Sequence, residues 1–548
     1  MSLLVTEDSS LAGAGLADLP QRYTTSTTTS TQTVVAYPYT DDYRIDTLLQ
    51  GVTGQSGLGA LVYQWNAGRA LGAPVTVSYS FMNAAPTYGG NVDATTGDSG
   101  FQPFNDLQKG AARQIMAQLS QELGISLVEV GDSAFSYGQV RFGDNYQTTS
   151  SGYSWLPYST PDDRSGDVWI DVTPEPPINS NLRDLSPGSV GYSTLLHEIG
   201  HALGLKHPGD YNAGSAATGV PGNYLGTAED NETYTVMSYT AAPTGGQQRD
   251  WYGLYDLLAL KFLYGSLNYN AGDTVYSFND ASGRLLKIID DGSGFDTIDI
   301  SGVSSAGNRV VDMRPGAFSS IGVNGAVKAV KNLSIDFSTV VEKFIGTPYA
   351  DNVTGNQANN QFVLGLGANT ADGGAGIDTV IYAAPRAAYT VSASGANLQV
   401  AGASLSDTLS NVERLVFADR KLAFDLSGNA GIAAKILGAV FDAPALSNAG
   451  YVGIGLSALD AGASYQDLMA FALDARLGSG HGNAQVVDLL YTNVAGVAPT
   501  TDQAAPYLAQ LNAGVLTQAG LGVFAAETAE NAAQIGLVGL AQTGIAYA

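Results

Sequence analysis

Residues 197–207 read HEIGHALGLKH and contain three of the four histidines in a chain of 548 residues. Successive residues of an α-helix are about 100° apart, so His197 and His201 are predicted to lie one turn apart on the same face. Gly204 can end the helix in a left-handed conformation. The resulting bend would bring His207 back toward the other two histidines. The opposite face is predicted to pack into the core through its apolar residues Leu196, Ile199 and Leu203.

This spacing indicates a metal site. Three neutral nitrogens that leave one position open are the donor set of a catalytic zinc ion, whereas a structural zinc has a closed shell of four ligands. Glu198 follows the first histidine and is placed to handle a water molecule at such an ion. The alternative is a core helix with solvent-facing histidines. That alternative carries weight for the five-residue pattern HExxH, but HExxHxxGxxH disfavours it.

A second motif, TVMSYT, follows at residues 235–240. Together the two motifs resemble the metzincin zinc endopeptidases, and Tyr239 after Met237 resembles the serralysin branch. The resemblance implies one catalytic zinc held by the three histidines, with Glu198 as the general base and Met237 as structural support. It also implies that Tyr239 is a displaceable further zinc ligand that stabilises the oxyanion. Because the chain has 29 tyrosines, an ordinary core or rim tyrosine is the alternative reading of Tyr239.

Residues 346–381 form four consecutive nine-residue blocks: GTPYADNVT, GNQANNQFV, LGLGANTAD and GGAGIDTVI. This is the period of the calcium-binding parallel β-roll, in which glycines make tight turns and each short strand turns one apolar side chain inward. A flexible glycine-rich linker is disfavoured because four blocks are in register. The sixth positions are Asp351, Asn360, Asn369 and Asp378, and the eighth are Val353, Phe362, Ala371 and Val380. Two sixth positions are uncharged, so we expect weaker or fewer calcium sites than in an ideal roll.

The resemblance implies several structural calcium ions. DGSGFDTID at 291–299 is an isolated copy of the same turn, and GDT at 272–274 matches the junction between protease and roll in serralysins. Oxygen atoms are the ligands that calcium prefers. The predicted calcium-binding residues are Asn270, Gly272, Thr274, Asp291, Ser293, Gly294, Asp296, Asp299, Glu342, Asp351, Gly373, Gly374, Gly376 and Asp378.

The predicted fold class is multidomain: an α+β metzincin protease domain, a parallel β-roll (β-solenoid) domain, and a mainly α-helical C-terminal region. In the first part, VTVSYSF at 75–81 and DVWIDV at 167–172 alternate like strands, and 106–123 has helical spacing from Leu107 to Leu123. The predicted divisions are residues 1–40, a leader or propeptide with a Thr/Ser linker; 41–250, the protease; 251–427, the roll; and 428–548, a helical module with a secretion signal.

The amino-acid composition limits the binding partners and the cellular location that can be expected. With 24 basic and 50 acidic residues the net charge is −26, so binding to nucleic acid or to anionic membranes is not expected. The chain has no cysteine, and so neither disulfides nor thiolate ligands. No transmembrane run and no N-terminal Sec signal is recognisable. We expect a secreted monomer, exported by type I secretion machinery in an unfolded state and folded by extracellular calcium.

The predicted function is that of a secreted zinc endopeptidase acting on protein and peptide substrates. The main alternative is a surface-associated calcium-binding protein that processes or anchors to a cell-surface layer, with proteolysis secondary. A catalytically silent scaffold would be expected to have lost Glu198 or a histidine, and neither is lost. A zinc hydrolase with a non-peptide substrate is disfavoured by the family resemblance alone.

Overall fold

The computed structural model describes residues 40–50, 62–66, 69–86, 100–134, 136–147, 150–158, 164–172, 184–211, 223–305, 309–394 and 397–548, and a short strand at 23–25. Most of the predicted leader and its Thr/Ser tract lie outside these residues. The chain divides into two compact units. The first comprises 1–271, 281–292 and 323–339, and the second comprises 272–280, 293–322 and 340–548.

The elements of the described residues are numbered in chain order. The strands are β1 Tyr23–Thr25, β2 Val75–Phe81, β3 Ile125–Glu129, β4 Val140–Asn145, β5 Gly152–Ser154, β6 Val168–Asp171, β7 Asn223–Leu225, β8 Gln248–Arg249, β9 Val275–Asn279, β10 Leu285–Ile289, β11 Thr297–Gly302, β12 Arg309–Asp312, β13 Phe318–Ser319, β14 Val323–Asn324, β15 Val327–Lys328, β16 Leu333–Ile335, β17 Lys343–Ile345, β18 Asp351–Thr354, β19 Gln361–Val363, β20 Thr370–Asp372, β21 Thr379–Ile381, β22 Thr390–Ser394, β23 Asn397–Ala401, β24 Ser406–Ser410, β25 Arg414–Val416, β26 Lys421–Ala423 and β27 Ile545–Tyr547. The helices are α1 Tyr43–Asp46, α2 Asp106–Glu122, α3 Val190–Ala202, α4 Leu254–Tyr264, α5 Asn429–Phe441, α6 Ala449–Asp460, α7 Tyr465–Leu477, α8 Asn483–Ala495, α9 Thr501–Asn512, α10 Gln518–Ala526, α11 Ala529–Gln534 and α12 Leu537–Thr543.

The first unit contains a five-stranded sheet in the order β3-β2-β4-β6-β5. Its strands are parallel except β5, which runs antiparallel to β6 and ends the sheet. The alternation in β2 is confirmed for Val77, Tyr79 and Phe81, which are buried, but Ser80 of the predicted polar face is buried as well. Strands β8, β10 and β16 are parallel neighbours in the same unit. Helix α4, which the sequence division places after residue 250, also belongs to this unit.

Helix α2 begins after Asn105, whose side chain accepts hydrogen bonds from the backbone N–H groups of the first turn. The predicted stripe is wrong at its first member, because the Leu107 side chain is 72% exposed. Steps of four residues turn the helix by 400° and drift by about 40° each time, so Leu107 and Leu123 cannot share one face. The buried face instead combines steps of three and four: Ala111, Ala112, Ile115, Met116 and Leu119.

The nine-residue blocks of the second unit form short strands that alternate between two parallel sheets. Strands β17, β19 and β21 are neighbours in one sheet, and β18 and β20 are neighbours in the other. All four eighth-position side chains are fully buried, as predicted: Val353, Phe362, Ala371 and Val380. Each block therefore contributes one apolar side chain to the interior, and its turn carries the polar positions.

Helices α5 to α12 make the end of the second unit mainly helical, as predicted, and a cluster of buried apolar side chains joins α5 to α10. The final strand, β27, pairs antiparallel with β26 and so belongs to the same sheet as β17. In the described part of the chain, no helix combines the length and apolarity that spanning a membrane requires.

Candidate metal centre

Helix α3 and the loop after it place three imidazoles around one point. His197 and His201 lie one turn apart on α3. Nε2 of His207 lies 3.1 Å from Nε2 of each of the other two. Gly204 has a φ of +111°, and a Cβ there would lie 2.4 Å from the carbonyl oxygen of Tyr63. Both the bend and the close contact therefore require glycine, as the sequence predicts.

Each imidazole holds its Nδ1 against a backbone carbonyl: His197 against Val236 at 2.8 Å, His201 against Leu205 at 2.7 Å and His207 against Tyr211 at 3.1 Å. A carbonyl oxygen can only accept, so Nδ1 carries the proton and the Nε2 lone pair faces the centre. Burial lowers the pKa of His197 to about 4 and that of His201 well below its usual value, so both rings are neutral. Three converging lone pairs repel one another without a cation, and this donor set fits zinc.

Glu198 follows His197 on α3 and is buried. Burial raises the pKa of the Glu198 carboxyl to about 8. Among the described residues, its Oε2 has no hydrogen-bond partner. A Cβ on Gly152 would lie 2.8 Å from Cγ of Glu198 and 2.9 Å from its Oε1, so the first residue of β5 must be small. A cation held by the histidines would favour the ionised form of this carboxyl, which can then accept and return a proton.

Met237 and Tyr239 both lie close to the helix or rings of the histidines. Met237 is fully buried, and its Sδ would be 2.8 Å from a Cβ on Gly200, so it packs against α3 between the two helical histidines. The side chain of Tyr239 is 50% exposed, and its ring centroid lies 4.6 Å from that of His207 and 5.8 Å from that of His197. The two residues are therefore near the metal site, and the role of Tyr239 stays a prediction.

Asp256 on α4 is a residue that the sequence reasoning missed. It is fully buried, and its Oδ2 accepts hydrogen bonds from the backbone N–H groups of Val236 and Gly253, both at 2.7 Å. Its Oδ1 accepts from the hydroxyl of Thr235. The carbonyl that orients His197 belongs to Val236, so Asp256 holds the segment behind that histidine. The signal was present in LYDLLALKFLY, where Asp256 is the one acidic residue of a mainly apolar helix.

Lys206 is a second residue that was missed. Its buried Nζ donates to three backbone carbonyl oxygens, those of Thr47 at 2.7 Å, His207 at 3.0 Å and Asn223 at 2.9 Å. The ammonium group thus joins the loop of the third histidine to α1 and β7. Lysine is usually exposed, so no sequence signal pointed to this position.

The predicted calcium residues occur in both units, and each set is described by itself. In the first unit, Asn270 has a positive φ of +50°, and the N–H of Asp291 donates to Thr339 Oγ1 at 2.8 Å. In the second unit, the N–H of Gly272 donates to the carbonyl of Ser293 at 2.6 Å. The carbonyl of Gly272 also comes close to Gly294, where a Cβ would lie 2.5 Å from it.

Two acidic pairs in the second unit have the same backbone arrangement. The N–H of Asp296 donates to Oε2 of Glu342 at 2.7 Å, and Oδ1 of Asp296 accepts from the N–H of Thr274 at 2.9 Å. The N–H of Asp378 donates to Oε2 of Glu413 at 2.8 Å. Glu413 was missed, although VEKFI at 341–345 and VERLV at 412–416 are visibly similar.

The turn at Asp378 fits a calcium ion. Its side chain is fully buried, and its Oδ2 has no hydrogen-bond partner. A Cβ on Gly373 would lie 2.4 Å from this oxygen, which requires glycine there. Gly374 and Gly376 of the same turn have φ values of +97° and +115°. Asp299 and Asp351, in contrast, use their carboxylates locally, accepting from Ser301 and Thr347 respectively.

A family model and individual relatives point to the same class of proteins. The sequence model described as "Peptidase M10 serralysin C terminal" matches residues 259–424. "Serralysin" of Proteus mirabilis is 33% identical over 333 residues, which cover 54% of this chain and 62% of that protein. "Metalloprotease AprA" of Pseudomonas entomophila is 31% identical over 313 residues, covering 52% and 60%. These matches confirm the predicted resemblance to serralysin-type metalloproteases.

The chain therefore spans less than two thirds of the length of these relatives. Among solved structures, "Structure of myroilysin" covers 37% of this chain and 95% of its own, with 15% identity and a TM-score of 0.21. A likeness at that score carries no argument about this chain.

Proposed function

We propose that the chain is a secreted zinc-dependent endopeptidase that hydrolyses peptide bonds of extracellular proteins. One observation carries the proposal: the Nε2 atoms of His197, His201 and His207 converge, while a buried carboxyl from Glu198 lies on the same helix without a hydrogen-bond partner at Oε2. The similarity to serralysins supports the same conclusion.

Each residue of the site has its own role in the proposed hydrolysis of a peptide bond. A bound zinc ion would supply a Lewis acid that makes water nucleophilic near neutral pH and polarises a peptide carbonyl. Glu198 accepts the proton of the attacking water and transfers it to the leaving amine. Tyr239, next to the rings of two histidines, donates its hydroxyl hydrogen to the developing oxyanion. Met237 supports the histidines by packing against Gly200 of α3 and takes no part in proton transfer.

An extended peptide is the substrate form that suits the position of β5. This strand ends the five-stranded sheet, and its Gly152 contacts Glu198. A peptide that added to the sheet beyond β5 would bind through main-chain hydrogen bonds and would pass beside the carboxyl. Recognition through the main chain accepts many sequences, which suits a protease of broad specificity.

We further propose that the alternating sheets of the second unit are a calcium-binding β-roll, and that the chain is organised as leader, protease, roll and helical module. The repeat period and the orphaned oxygen of Asp378 support calcium binding. The acidic chain would stay unfolded at low cytosolic calcium, pass through type I secretion machinery, and fold in the calcium-rich exterior. Surface-layer attachment and a monomeric state have no specific observation in their favour.

Digestion of casein tests the proposed activity. Glu198→Ala should lower the rate by about 10²–10⁴-fold, because the proton acceptor is removed while the histidines stay. Added o-phenanthroline should abolish digestion by the wild-type chain, and Glu530→Ala, an exposed glutamate of α11, should digest at the wild-type rate. Circular dichroism of each variant controls for folding. If Glu198→Ala and chelator-treated samples digest casein like the wild type, the chain is not a zinc protease.

A further inference from the structure

The sixth positions of the four repeats are buried alike but differ in chemistry. Asp351, Asn360, Asn369 and Asp378 have relative exposures of 2% or less. The nine-residue period is that of a calcium-binding roll, and the two uncharged sixth positions predict weaker or fewer calcium sites than in an ideal roll. A calcium ion needs several oxygen atoms facing it, and a turn whose oxygens already accept hydrogen bonds from protein donors does not supply them.

Asn360 places the N–H groups of its side-chain amide in its turn. Its Oδ1 accepts from the N–H of Asn356 at 2.8 Å. Its Nδ2 donates to the carbonyl of Val341 at 3.2 Å and to Oδ1 of Asn356 at 3.1 Å. The opposite orientation of the amide would face oxygen with oxygen and nitrogen with N–H, so the neighbouring atoms fix it. Asn356 adds a second donor to Val341, at 2.7 Å. The side-chain oxygens of Asn356 and Asn360 and the carbonyl oxygen of Val341 therefore all accept hydrogen bonds from N–H groups.

Asn369 also places a side-chain N–H group in its turn. Its Oδ1 accepts from the N–H of Asp351 at 3.0 Å. Its Nδ2 donates to a carboxylate oxygen of Asp407 at 2.8 Å and to the carbonyl of Leu366 at 3.3 Å. The other carboxylate oxygen of the buried Asp407 accepts from the hydroxyl of Tyr382 at 3.0 Å. Neutral donors thus satisfy a carboxylate that would otherwise attract a cation.

Asp351 is acidic, but its carboxylate is also satisfied within its own turn. Oδ2 accepts from the N–H of Thr347 at 2.6 Å, and the Thr347 hydroxyl lies 3.0 Å from both oxygens. Among the described residues, Asp378 is the one sixth-position side chain of the four with a buried oxygen, Oδ2, that has no hydrogen-bond partner.

We infer that the turns at Asp351, Asn360 and Asn369 close without calcium, and that Asn360 and Asn369 replace the cation by side-chain N–H groups. Calcium dependence of this unit is then confined to acidic turns such as the one formed by Asp378 and Glu413. This inference overturns the expectation that Asp351 binds calcium. It concerns how the second unit folds and does not depend on the proposed proteolysis.

The substitutions Asn360→Asp and Asn369→Asp test the inference in the full chain. Each replaces the donor by a carboxylate oxygen that faces other oxygens. In EGTA, both variants should melt about 10 °C below the wild type by far-ultraviolet circular dichroism. Calcium chloride should restore most of the loss, and calorimetric titration should count one more bound calcium ion per chain. Asn352→Asp, the same change at an exposed position of β18, should match the wild type in both conditions.

Variants that melt like the wild type in EGTA would overturn the inference. If the buried carboxylate of Asn360→Asp or Asn369→Asp prevents folding, Asn360→Ala tests the inference instead. It removes the donor without adding charge, so the melting temperature should fall equally in EGTA and in calcium, with the calcium count unchanged. A count lower by one ion would make Asn360 a calcium ligand and the inference wrong.

Discussion

At the scale of single residues, the candidate metal centre depends on groups that would not themselves touch a metal ion. The rings of His197, His201 and His207 are oriented by backbone carbonyls, which fixes the proton on Nδ1. Those carbonyls are in turn held in place, most visibly at Val236, whose N–H is bound by Asp256. Such outer partners contribute to metal affinity because they determine where the lone pairs point.

Asp256→Ala should therefore weaken zinc binding although Asp256 is not a ligand. The substitution leaves two backbone N–H groups and the Thr235 hydroxyl without their acceptor, and the segment behind His197 loses its position. We expect zinc affinity to fall by about 10- to 100-fold. Competition with a chromogenic chelator measures the affinity directly. Asp106→Ala, at an exposed position in the first turn of α2, is the control, and equal affinities in the two variants would contradict the proposed role.

At the scale of elements, the nine-residue period explains how the short parallel strands of the second unit are arranged. Nine residues make one short strand and one turn, so successive blocks fall alternately in two sheets and every second block is in register. Phe344 pairs with Phe362, and Phe362 with Val380, so these side chains stack along the interior of one sheet. The stacked apolar side chains stabilise the strands, whereas the turns differ from one another in whether a cation suits them.

Phe362→Ala should destabilise the second unit by about 3–5 kcal/mol, because a fully buried ring is replaced by a cavity. Unfolding in urea at saturating calcium, followed by far-ultraviolet circular dichroism, measures the loss. All four tryptophans lie in the first unit, so tryptophan fluorescence in the same titration reports that unit separately.

Gln361→Ala, on the same strand but only partly buried, is the matched control and should cost less than about 1 kcal/mol. If both substitutions have the same effect, the stack of side chains is not what stabilises these strands.

At the scale of the whole molecule, buried carboxyl groups make the stability depend on pH and on calcium. Burial raises the pKa of Asp378 to about 7 and also raises the pKa of Glu413. Between the unfolded value of 3.8 and about 7, folded Asp378 binds more protons than the unfolded chain does. Stability without calcium should therefore fall as the pH rises through this range. A bound cation would favour the ionised form and reverse the trend.

Melting curves between pH 5 and pH 8, recorded in EGTA and in calcium chloride, test this dependence. In EGTA the melting temperature should fall with rising pH, and in calcium it should stay level or rise. Asp378→Asn should flatten the decline in EGTA, whereas Asp502→Asn, at an exposed position of α9, should leave it unchanged. A wild-type melting temperature that rises with pH in EGTA would show that the buried carboxylates do not control stability.

The sequence by itself determined the features that depend on spacing along one element. Two histidines four residues apart share a helix face whatever surrounds them, Gly204 allows the bend, and the nine-residue period fixes which side chains turn inward. Tertiary structure alone decided the features that join distant segments, such as Asp256 behind His197, Gly152 against Glu198, and Asn369 donating to Asp407. A hydrogen bond between residues far apart in the chain leaves no periodic trace, because it depends on where the packed elements place their ends. For the same reason, whether a repeat turn presents an unsatisfied oxygen or an amide hydrogen follows from its neighbours in space.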